Sequence, residues 1–453
     1  MIDDSQKRES DAASFSQTAQ ELLQRGKDLV KDKRFEEALA AYEQALLLDL
    51  QDARIHEAKG IALGELQRHE EALAAFNQAL RYDPSLSTTY YNKGVALGHL
   101  ERYEEAVAAY EQALWFDPND TASYQNKGDV LADRGKYEEA LLAYEQALQL
   151  DPGKAMIYNN KGVALADLGK YEEALVAYEQ ALQLDPNLAL AFYSKGAALA
   201  NLERDEEAVE AFEKATRLDP DNEQAFANKG MLLEKLNHYE EALAAYEQAS
   251  RLNSRDTNII YHKGFILGTL GRHKEALAAF DEVLRLDPNS ILAYNNKGQA
   301  LANLERYEEA LAAYEQALRL DPNNVEAYEK KGESLLDLMR YEEALEAYNQ
   351  ALYLNPEDVP AYNGKSFALT MLGQYEEAIR AYDEVLRRNP TDVDTYYNKG
   401  YSLIKLGRYK EAIRAYDEVL QLDPEDKEAF EKKGEALLAL YPHIPPRKKE
   451  EES

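Results

Sequence analysis

The amino-acid sequence predicts an all-α solenoid built from twelve 34-residue helix-turn-helix repeats and a C-terminal capping helix. Three observations predict this fold class: a glycine that recurs every 34 residues, apolar side chains at helical spacing within each unit, and a proline near the end of most units. Because each repeat buries its apolar face against its neighbours, a chain of 453 residues needs no separate globular core. The recurring glycines are Gly26, Gly60, Gly94, Gly128, Gly162, Gly196, Gly230, Gly264, Gly298, Gly332, Gly400 and Gly434, and Ser366 occupies the one vacancy.

Counting residue 19 as position 1 gives each recurring residue a fixed position in its repeat. The predicted repeats are 19–52, 53–86, 87–120, 121–154, 155–188, 189–222, 223–256, 257–290, 291–324, 325–358, 359–392 and 393–426. Residues 427–440 repeat only the first-helix pattern and are predicted to form the capping helix, which covers the last apolar face. Residues 1–18 are predicted to be a disordered tail with a helix cap at Thr18, and residues 441–453 a second disordered tail.

The two helices of a repeat are predicted from two sets of apolar or small residues. The first set lies at positions 4, 7, 8 and 11, and the second at positions 17, 20, 24, 27 and 28. A turn is predicted at positions 15–16, as in Gly271-Arg272. Proline at position 32 is predicted to end the second helix because it lacks an N–H group. Glycine at position 8 allows close helix packing, and the aromatic residues at positions 4, 17 and 24 are predicted to be core.

Charge and cysteine content exclude several classes of function. The net charge is −32, with 84 acidic against 52 basic residues, whereas nucleic-acid binding depends on clustered lysine and arginine. The same charge disfavours anionic membrane surfaces. The protein has no cysteine, which excludes disulfides, thiolate catalysis and cysteine-ligated zinc. Its first residues are polar and no stretch has the length of a membrane span, so we expect a cytoplasmic protein without membrane insertion.

No motif predicts catalysis, a metal or a cofactor. Gly364-Lys365-Ser366 resembles the end of a phosphate-binding loop, but the motif needs a glycine where Val359 stands. The seven histidines form no pair at i, i+4 spacing. Paired glutamates at positions 18 and 19 are interpreted as a solvated surface near the start of the second helix, where acids suit the helix dipole. We therefore expect a protein that is not an enzyme.

The segment AYNNKGQALANLERYEEALAAYEQALRLDPNN at 293–324 resembles the tetratricopeptide repeat family. The resemblance extends from residue 19 to about residue 440 and implies a right-handed superhelix whose first helices line a concave groove. It implies that other proteins are the binding partners. Chaperone-binding members of the family use lysine at position 5 with asparagine at position 9, and no repeat here has that pair, so acidic chaperone tails are disfavoured as partners.

The expected groove positions are 2, 5, 6, 9, 12 and 13, which carry six basic and eleven acidic residues, a balance of 6 − 11 = −5. Most of the negative charge therefore lies elsewhere. Position 6 holds an amide that can pair with a peptide unit in either direction. The candidate groove residues are Asn92, Asn126, Asn160, Asn228, Asn296 and Asn398, with Tyr91, Tyr193, Tyr261 and Phe265 beside them. Two interpretations of the amides stay open: they hold an extended peptide, or they are solvated residues of the repeat consensus.

Two structural predictions follow from single positions. The lysine at position 7, present from Lys59 to Lys433, is predicted to pack its stem and to pair its ammonium with a carboxylate of a second helix or with the Asp before Pro. Repeat 7 is predicted to be a weak joint, because Ser250 replaces the position-28 leucine and Ser254 replaces the proline.

Three functional hypotheses remain. The favoured one is a scaffold that binds extended peptide segments and assembles multiprotein complexes. The second is an accessory subunit of an enzyme that acts in trans. The third is a self-associating structural solenoid, which the polar residues Glu431, Lys432 and Lys433 of the capping helix disfavour.

Overall fold

The computed structural model describes residues 2–441, with side chains described from residue 17 onward. Within that range it contains 25 helices and no strand, which confirms the predicted fold class. Contacts divide the protein into two compact units, Met1–Leu232 and Leu233–Ser453, and each is described separately.

The first unit consists of first and second helices in strict alternation. Its helices are α1 (Ile2–Lys31), α2 (Phe35–Leu48), α3 (Ala53–Glu65), α4 (His69–Tyr82), α5 (Ser87–His99), α6 (Tyr103–Phe116), α7 (Thr121–Asp133), α8 (Tyr137–Leu150), α9 (Ala155–Asp167), α10 (Tyr171–Leu184), α11 (Ala189–Asn201) and α12 (Asp205–Leu218). Helix α13 (Glu223–Lys235) contains the division between the units.

The second unit continues the alternation. Its helices are α14 (Tyr239–Leu252), α15 (Thr257–Thr269), α16 (His273–Leu286), α17 (Ile291–Asn303), α18 (Tyr307–Leu320), α19 (Val325–Asp337), α20 (Tyr341–Leu354), α21 (Val359–Met371), α22 (Tyr375–Arg388), α23 (Val393–Lys405), α24 (Tyr409–Leu422) and α25 (Lys427–Leu440).

The N-terminal segment differs from the prediction. Helix α1 begins at Ile2, so the backbone of residues 2–18 is helical where a disordered tail was expected, and Thr18 lies inside the helix and does not cap its start. Residues 2–18 contain no glycine or proline, so the helix of the first repeat can extend backwards without a break. The predicted C-terminal tail lies outside the described residues beyond Tyr441.

The turn predicted at positions 15–16 is confirmed, and its backbone is the same in every repeat. Position 15 has a positive φ throughout, at glycines such as Gly271 (φ 74°) and also at seven other residues, including Glu305 (φ 59°) and Met339 (φ 55°). The left-handed region costs a non-glycine residue about 1–2 kcal/mol. Packing on both sides of the turn must therefore hold this conformation, and the turn does not depend on glycine.

Proline at position 32 is not what ends the second helix. Helix α14 ends at Leu252, at the position where α18 ends in Leu320, although Ser254 replaces the proline of that repeat. Helix α2 likewise ends at Leu48 without a following proline. The Asp or Asn at position 31 has an extended backbone in both kinds of repeat, and its N–H still donates to the carbonyl four residues earlier. The second helix thus ends at the extended backbone of position 31, which repeats with and without the proline share.

The core lies between the two helices of each repeat and the first helix of the next. Aromatic residues at position 24 are buried throughout, whereas those at positions 4 and 17 are mostly half-buried, so only part of the predicted aromatic core is fully enclosed. Glycine at position 8 leaves room for the position-24 ring: a Cβ on Gly332 would lie 2.7 Å from Tyr348 Cζ. Position 3, which the periodicity did not single out, is also buried, as at Ile55 and Ala293.

The ion pairs predicted for the position-7 lysines, together called the lysine ladder, are confirmed for eight of the twelve lysines. The partner is always the position-25 carboxylate of the preceding second helix. The pairs are Lys59–Glu43 (3.0 Å), Lys127–Glu111 (2.7 Å), Lys161–Glu145 (3.0 Å), Lys195–Glu179 (3.0 Å), Lys297–Asp281 (2.6 Å), Lys331–Glu315 (3.1 Å), Lys399–Asp383 (2.5 Å) and Lys433–Asp417 (2.5 Å). Among the described residues, Lys93, Lys229, Lys263 and Lys365 form no such pair.

Candidate peptide-binding site

Within each unit, the first helices form one continuous face. Successive first helices contact each other, from α1·α3 to α9·α11 in the first unit and from α15·α17 to α23·α25 in the second. No pair of second helices makes a comparable contact within the described residues. The first helices therefore approach each other more closely than the second helices do, and the first-helix face is the inner side of each stack.

Two position-6 asparagines of the first unit are bonded to the preceding repeat. Asn126 Nδ2 donates to Tyr91 Oη at 3.1 Å, and Asn228 Nδ2 donates to Tyr193 Oη at 3.4 Å. Each tyrosine lies at position 5 of its repeat and packs against the position-24 ring, with centroids 6.0 Å apart for Tyr91–Tyr110 and 5.7 Å for Tyr193–Phe212. The amide and the phenol are therefore fixed by neighbouring repeats.

The same pair occurs once in the second unit. Asn296 Nδ2 donates to Tyr261 Oη at 3.0 Å and to the Leu292 carbonyl at 2.9 Å. The Tyr261 ring lies 6.0 Å from that of Phe280. These three Asn–Tyr pairs join position 5 of one repeat to position 6 of the next.

Each Asn–Tyr pair leaves one acceptor and one donor available. The amide nitrogen is used, so its carbonyl oxygen Oδ1 remains an acceptor, and the tyrosine that accepts through Oη keeps its own O–H to donate. A peptide unit presents the complementary set, one N–H and one C=O. The half-buried position of the three asparagines restrains this geometry.

Asn160 differs from the other asparagines predicted at position 6. Its Nδ2 donates to Asp129 Oδ1 at 2.9 Å, and its Oδ1 accepts from Asn159 Nδ2 at 3.3 Å. Asp129 also accepts from Tyr144 at 2.7 Å, and burial raises the pKa of the Asp129 carboxyl. Asn160 thus engages both its amide nitrogen and its carbonyl oxygen inside the protein, unlike the asparagines of the Asn–Tyr pairs.

The remaining predicted amides make neither kind of pair. Asn92 is half-buried and lines a shallow cavity of about 200 Å³ together with Ile61 and His99. Asn398 is half-buried, and its side chain forms no hydrogen bond with the described residues. Both amides keep their donor and acceptor for another molecule.

Repeat 8 carries a histidine in place of the amide. His262 Nδ1 lies 3.1 Å from Glu234 Oε2, which also accepts from Tyr246 Oη at 2.9 Å. Burial alone would raise the pKa of Glu234, but the hydrogen bonds with His262 and Tyr246 hold it below its ordinary value. Sequence reasoning did not single out Glu234, since its partners lie 12 and 28 residues away.

Apolar side chains flank the Asn–Tyr pairs. In the first unit a cavity of about 420 Å³ is lined by Val163, Leu190 and Tyr193, and the Leu190 side chain is 45% exposed. In the second unit Leu292 is 58% and Phe265 40% exposed. Exposed apolar and aromatic side chains are typical of protein-binding surfaces. The face therefore combines fixed polar groups with apolar contacts.

An acidic pair on the same face was not predicted. Glu329, at position 5 of repeat 10, faces Asp358, which is buried and caps the start of α21 by accepting from Ala361 N at 2.9 Å. Burial, followed by the hydrogen bond with Asp358 and its negative charge, raises the pKa of Glu329 to about 8. The sequence contains both residues, but their approach depends on the junction between two repeats.

Among the described residues, no group of three or more His, Asp or Glu side chains could hold a metal ion. None of the described helices combines the length and apolar character needed to cross a membrane.

Family models match almost the whole repeat region. Models described as tetratricopeptide repeat match residues 23–87, 87–120, 155–188, 189–222, 211–244, 256–323, 295–359, 347–380, 368–427 and 397–440, and one described as TPR repeat matches 128–169. A comparison with curated proteins gives no match.

Three solved structures are similar to parts of the protein. YrrB, a TPR protein with an unusual peptide-binding site, is 32% identical over 41% of this chain and 95% of its own, with a TM-score of 0.40. PilF of Pseudomonas aeruginosa is 22% identical over 47% and 96%, with a TM-score of 0.41. The P58(IPK) TPR domain is 19% identical over 86% and 99%, with a TM-score of 0.36. On the family matches and the helical repeats together, the protein belongs to the tetratricopeptide repeat family.

Proposed function

We propose that this protein is a non-catalytic scaffold that binds extended segments of other proteins on its first-helix faces and so assembles multiprotein complexes. The fold itself is that of a protein-interaction scaffold. The observation that carries the peptide-binding part of the proposal is the Asn–Tyr pair. Its hydrogen bond holds one free acceptor and one free donor side by side on the first-helix face. Such groups can bind backbone without selecting side chains, and the apolar neighbours add contact area.

The proposal is tested with a peptide bound to the first unit. A peptide of about 12 residues, long enough when extended to span several repeats, is selected on the purified protein from a random display library, and its Kd is measured by fluorescence anisotropy. Asn126→Ala combined with Asn228→Ala should weaken binding from about fivefold to about 150-fold, because each lost hydrogen bond is worth about 0.5–1.5 kcal/mol. Tyr91→Phe with Tyr193→Phe should act in the same direction.

Two controls separate this face from the rest of the protein. Asn160→Ala should leave the Kd within about twofold, because both of its amide atoms are already used internally and a partner loses no hydrogen bond. Charge reversal at Glu138 and Glu172, on the starts of α8 and α10, should change mainly the association rate. If the Asn126/Asn228 variant binds like the parent while the charge-reversal variant loses the peptide, the second helices carry the function and the proposal is wrong.

One observation favours self-association as a second candidate function. The capping helix α25 was expected to present a polar outer surface, yet Phe430 is 68% and Leu438 59% exposed among the described residues. Light scattering over a range of concentrations distinguishes the two: the scaffold proposal predicts a constant mass of 51.3 kDa. A mass that rises with concentration and returns to the monomer value in Phe430→Glu would favour self-association. The accessory-subunit hypothesis would be favoured if a protein that binds this scaffold proves to be an enzyme.

A further inference from the structure

Two lysines of the lysine ladder have no carboxylate at position 25 of the preceding repeat. Position 25 of the preceding repeat is Asp or Glu at ten of the twelve junctions and asparagine only at Asn77 and Asn349. The lysines that follow them are Lys93 and Lys365, and neither forms an ion pair with the described residues. One such junction lies in each unit.

Equivalent cavities show what the asparagine changes. In the second unit, the junction around Lys297 encloses about 320 Å³ and that around Lys365 about 470 Å³. Asp281 lies 2.6 Å from the Lys297 ammonium, whereas Asn349 takes the corresponding place beside Lys365. The first unit has a carboxylate-paired cavity of about 430 Å³, where Glu145 lies 3.0 Å from Lys161.

The other acids around Lys365 are already engaged by arginine. Glu377 is paired with Arg380 at 3.3 Å, and Glu384 accepts from Arg387 at 3.1 Å and also from Arg388. The Lys365 ammonium is therefore left without an anion of its own, and burial lowers its pKa.

The junction around Lys93 is similar. Burial lowers the pKa of Lys93, which the charge of Glu105 only partly opposes. Glu105 itself is held by Arg102 at 2.8 Å. Burial thus lowers the pKa of both Lys93 and Lys365, the two position-7 lysines that follow asparagine.

We propose that Lys93 and Lys365 each bind a carboxylate group of a partner protein, which occupies the place that the position-25 carboxylate takes at the other junctions. A half-buried ammonium in contact with a carboxylate is more stable than one without a partner. The bound group is an Asp or Glu side chain or the α-carboxylate at the C-terminus of the partner. This surface includes second helices and is distinct from the first-helix face of the proposed function.

The test is NMR spectroscopy of the full-length protein with ¹³C-dimethylated lysines. Three small probes are titrated: N-acetylglutamate α-amide for the carboxylate of a side chain, N-acetylalanine for an α-carboxylate, and N-acetylglutamine amide as the uncharged control. The signals of Lys93 and Lys365 should shift saturably with a carboxylate probe, whereas those of Lys161 and Lys297 should shift at least about fivefold less, because an internal carboxylate already pairs them. A response to one carboxylate probe alone identifies the source, and an equal response to both shows that any carboxylate is accepted.

Two reciprocal substitutions of nearly unchanged size provide the matched control. Asn349→Asp should abolish the response of Lys365, because the internal carboxylate then fills the place. Asp281→Asn should confer the response on Lys297. The proposal is overturned if Lys93 and Lys365 do not respond, if they respond no more than Lys161 and Lys297, or if Asn349→Asp leaves the shift of Lys365 unchanged.

Discussion

The role of glycine at position 8 gives a prediction in which two opposing effects can be separated. A Cβ on Gly298 would lie 2.7 Å from Tyr314 Cζ and 2.8 Å from its Cδ1, closer than real Cβ contacts come. The Tyr314 ring is 1% exposed and cannot move aside without disturbing the core. At the same position of α25, Gly434 has no atom within 4 Å of a built Cβ, because no second helix follows it within the described residues.

The two substitutions to alanine should therefore have opposite signs. Alanine in a helix interior is more stable than glycine by about 0.5–1 kcal/mol, and Gly434→Ala should gain this amount. Gly298→Ala gains the same amount but also overpacks the core, which typically costs about 1–3 kcal/mol. Because the clash involves a rigid, buried ring, we expect the upper part of that range and a net loss of about 1–2 kcal/mol.

Native-state hydrogen exchange is the suitable assay, because a long array of repeats need not unfold in one cooperative step. Amides of α17 and α18 should exchange about 5- to 30-fold faster in Gly298→Ala, and those of α25 about 2- to 5-fold slower in Gly434→Ala. Adding Tyr314→Leu should remove most of the clash, so the double variant should lose less than the sum of its parts. Slower exchange in Gly298→Ala, or equal effects of the two alanines, would refute the reasoning.

Two further predictions concern single junctions of the second unit. Ser250 lies where a half-buried leucine such as Leu318 packs in other repeats, so the loss of that side chain costs about 1 kcal/mol rather than the roughly 1.5–3 kcal/mol of a fully buried leucine. Amides of 245–252 should therefore exchange faster than those of 313–320, and Ser250→Leu should restore their protection. Equal exchange rates in the two segments would contradict the prediction of a weak joint. The pKa of Glu329 is raised from 4.5 to about 8, so its stabilising effect is complete below about pH 4.5 and is lost as the pH rises through 8. The melting temperature of Glu329→Gln should match that of the parent at about pH 4 and exceed it at about pH 9, on either side of this titration. A difference in melting temperature that does not change with pH would contradict the prediction.

The fold was predictable because its determinants recur at one period. Gly298 and the aromatic Tyr314 lie 16 residues apart in one repeat, and a glycine and an aromatic residue recur at these two positions in nearly every repeat. Features without a distinctive residue were missed: position 15 adopts a left-handed backbone at Glu305 as readily as at Gly271. The helical extension from Ile2 was missed for a related reason, since a polar composition can indicate a tail or an exposed helix.

The candidate site was only partly predictable. The asparagines at position 6 stand out in the sequence, but the hydrogen bond from Asn126 to Tyr91 joins different positions of successive repeats, and only the packed register brings them together. The sequence could not show that Asn160 instead pairs with Asp129, which appears in one repeat alone. The hydrogen bonds thus distinguish position-6 asparagines that are equivalent in the sequence pattern.

Departures from the consensus are where a repeat protein can acquire specificity without losing its fold. At the junction of Lys297 the consensus carboxylate satisfies the lysine internally, so that surface has little to gain from a partner. At Lys365 an amide of nearly the same size stands in place of the carboxylate, and the half-buried ammonium forms no ion pair with the described residues. The exchange at Asn77 has the same consequence for Lys93. Because stability in such an array is the sum of local terms, a junction can be altered in this way while its neighbours hold the structure. The two proposals therefore assign chemically different contacts to a partner: neutral backbone hydrogen bonds on the first-helix face and carboxylate pairing at these two junctions.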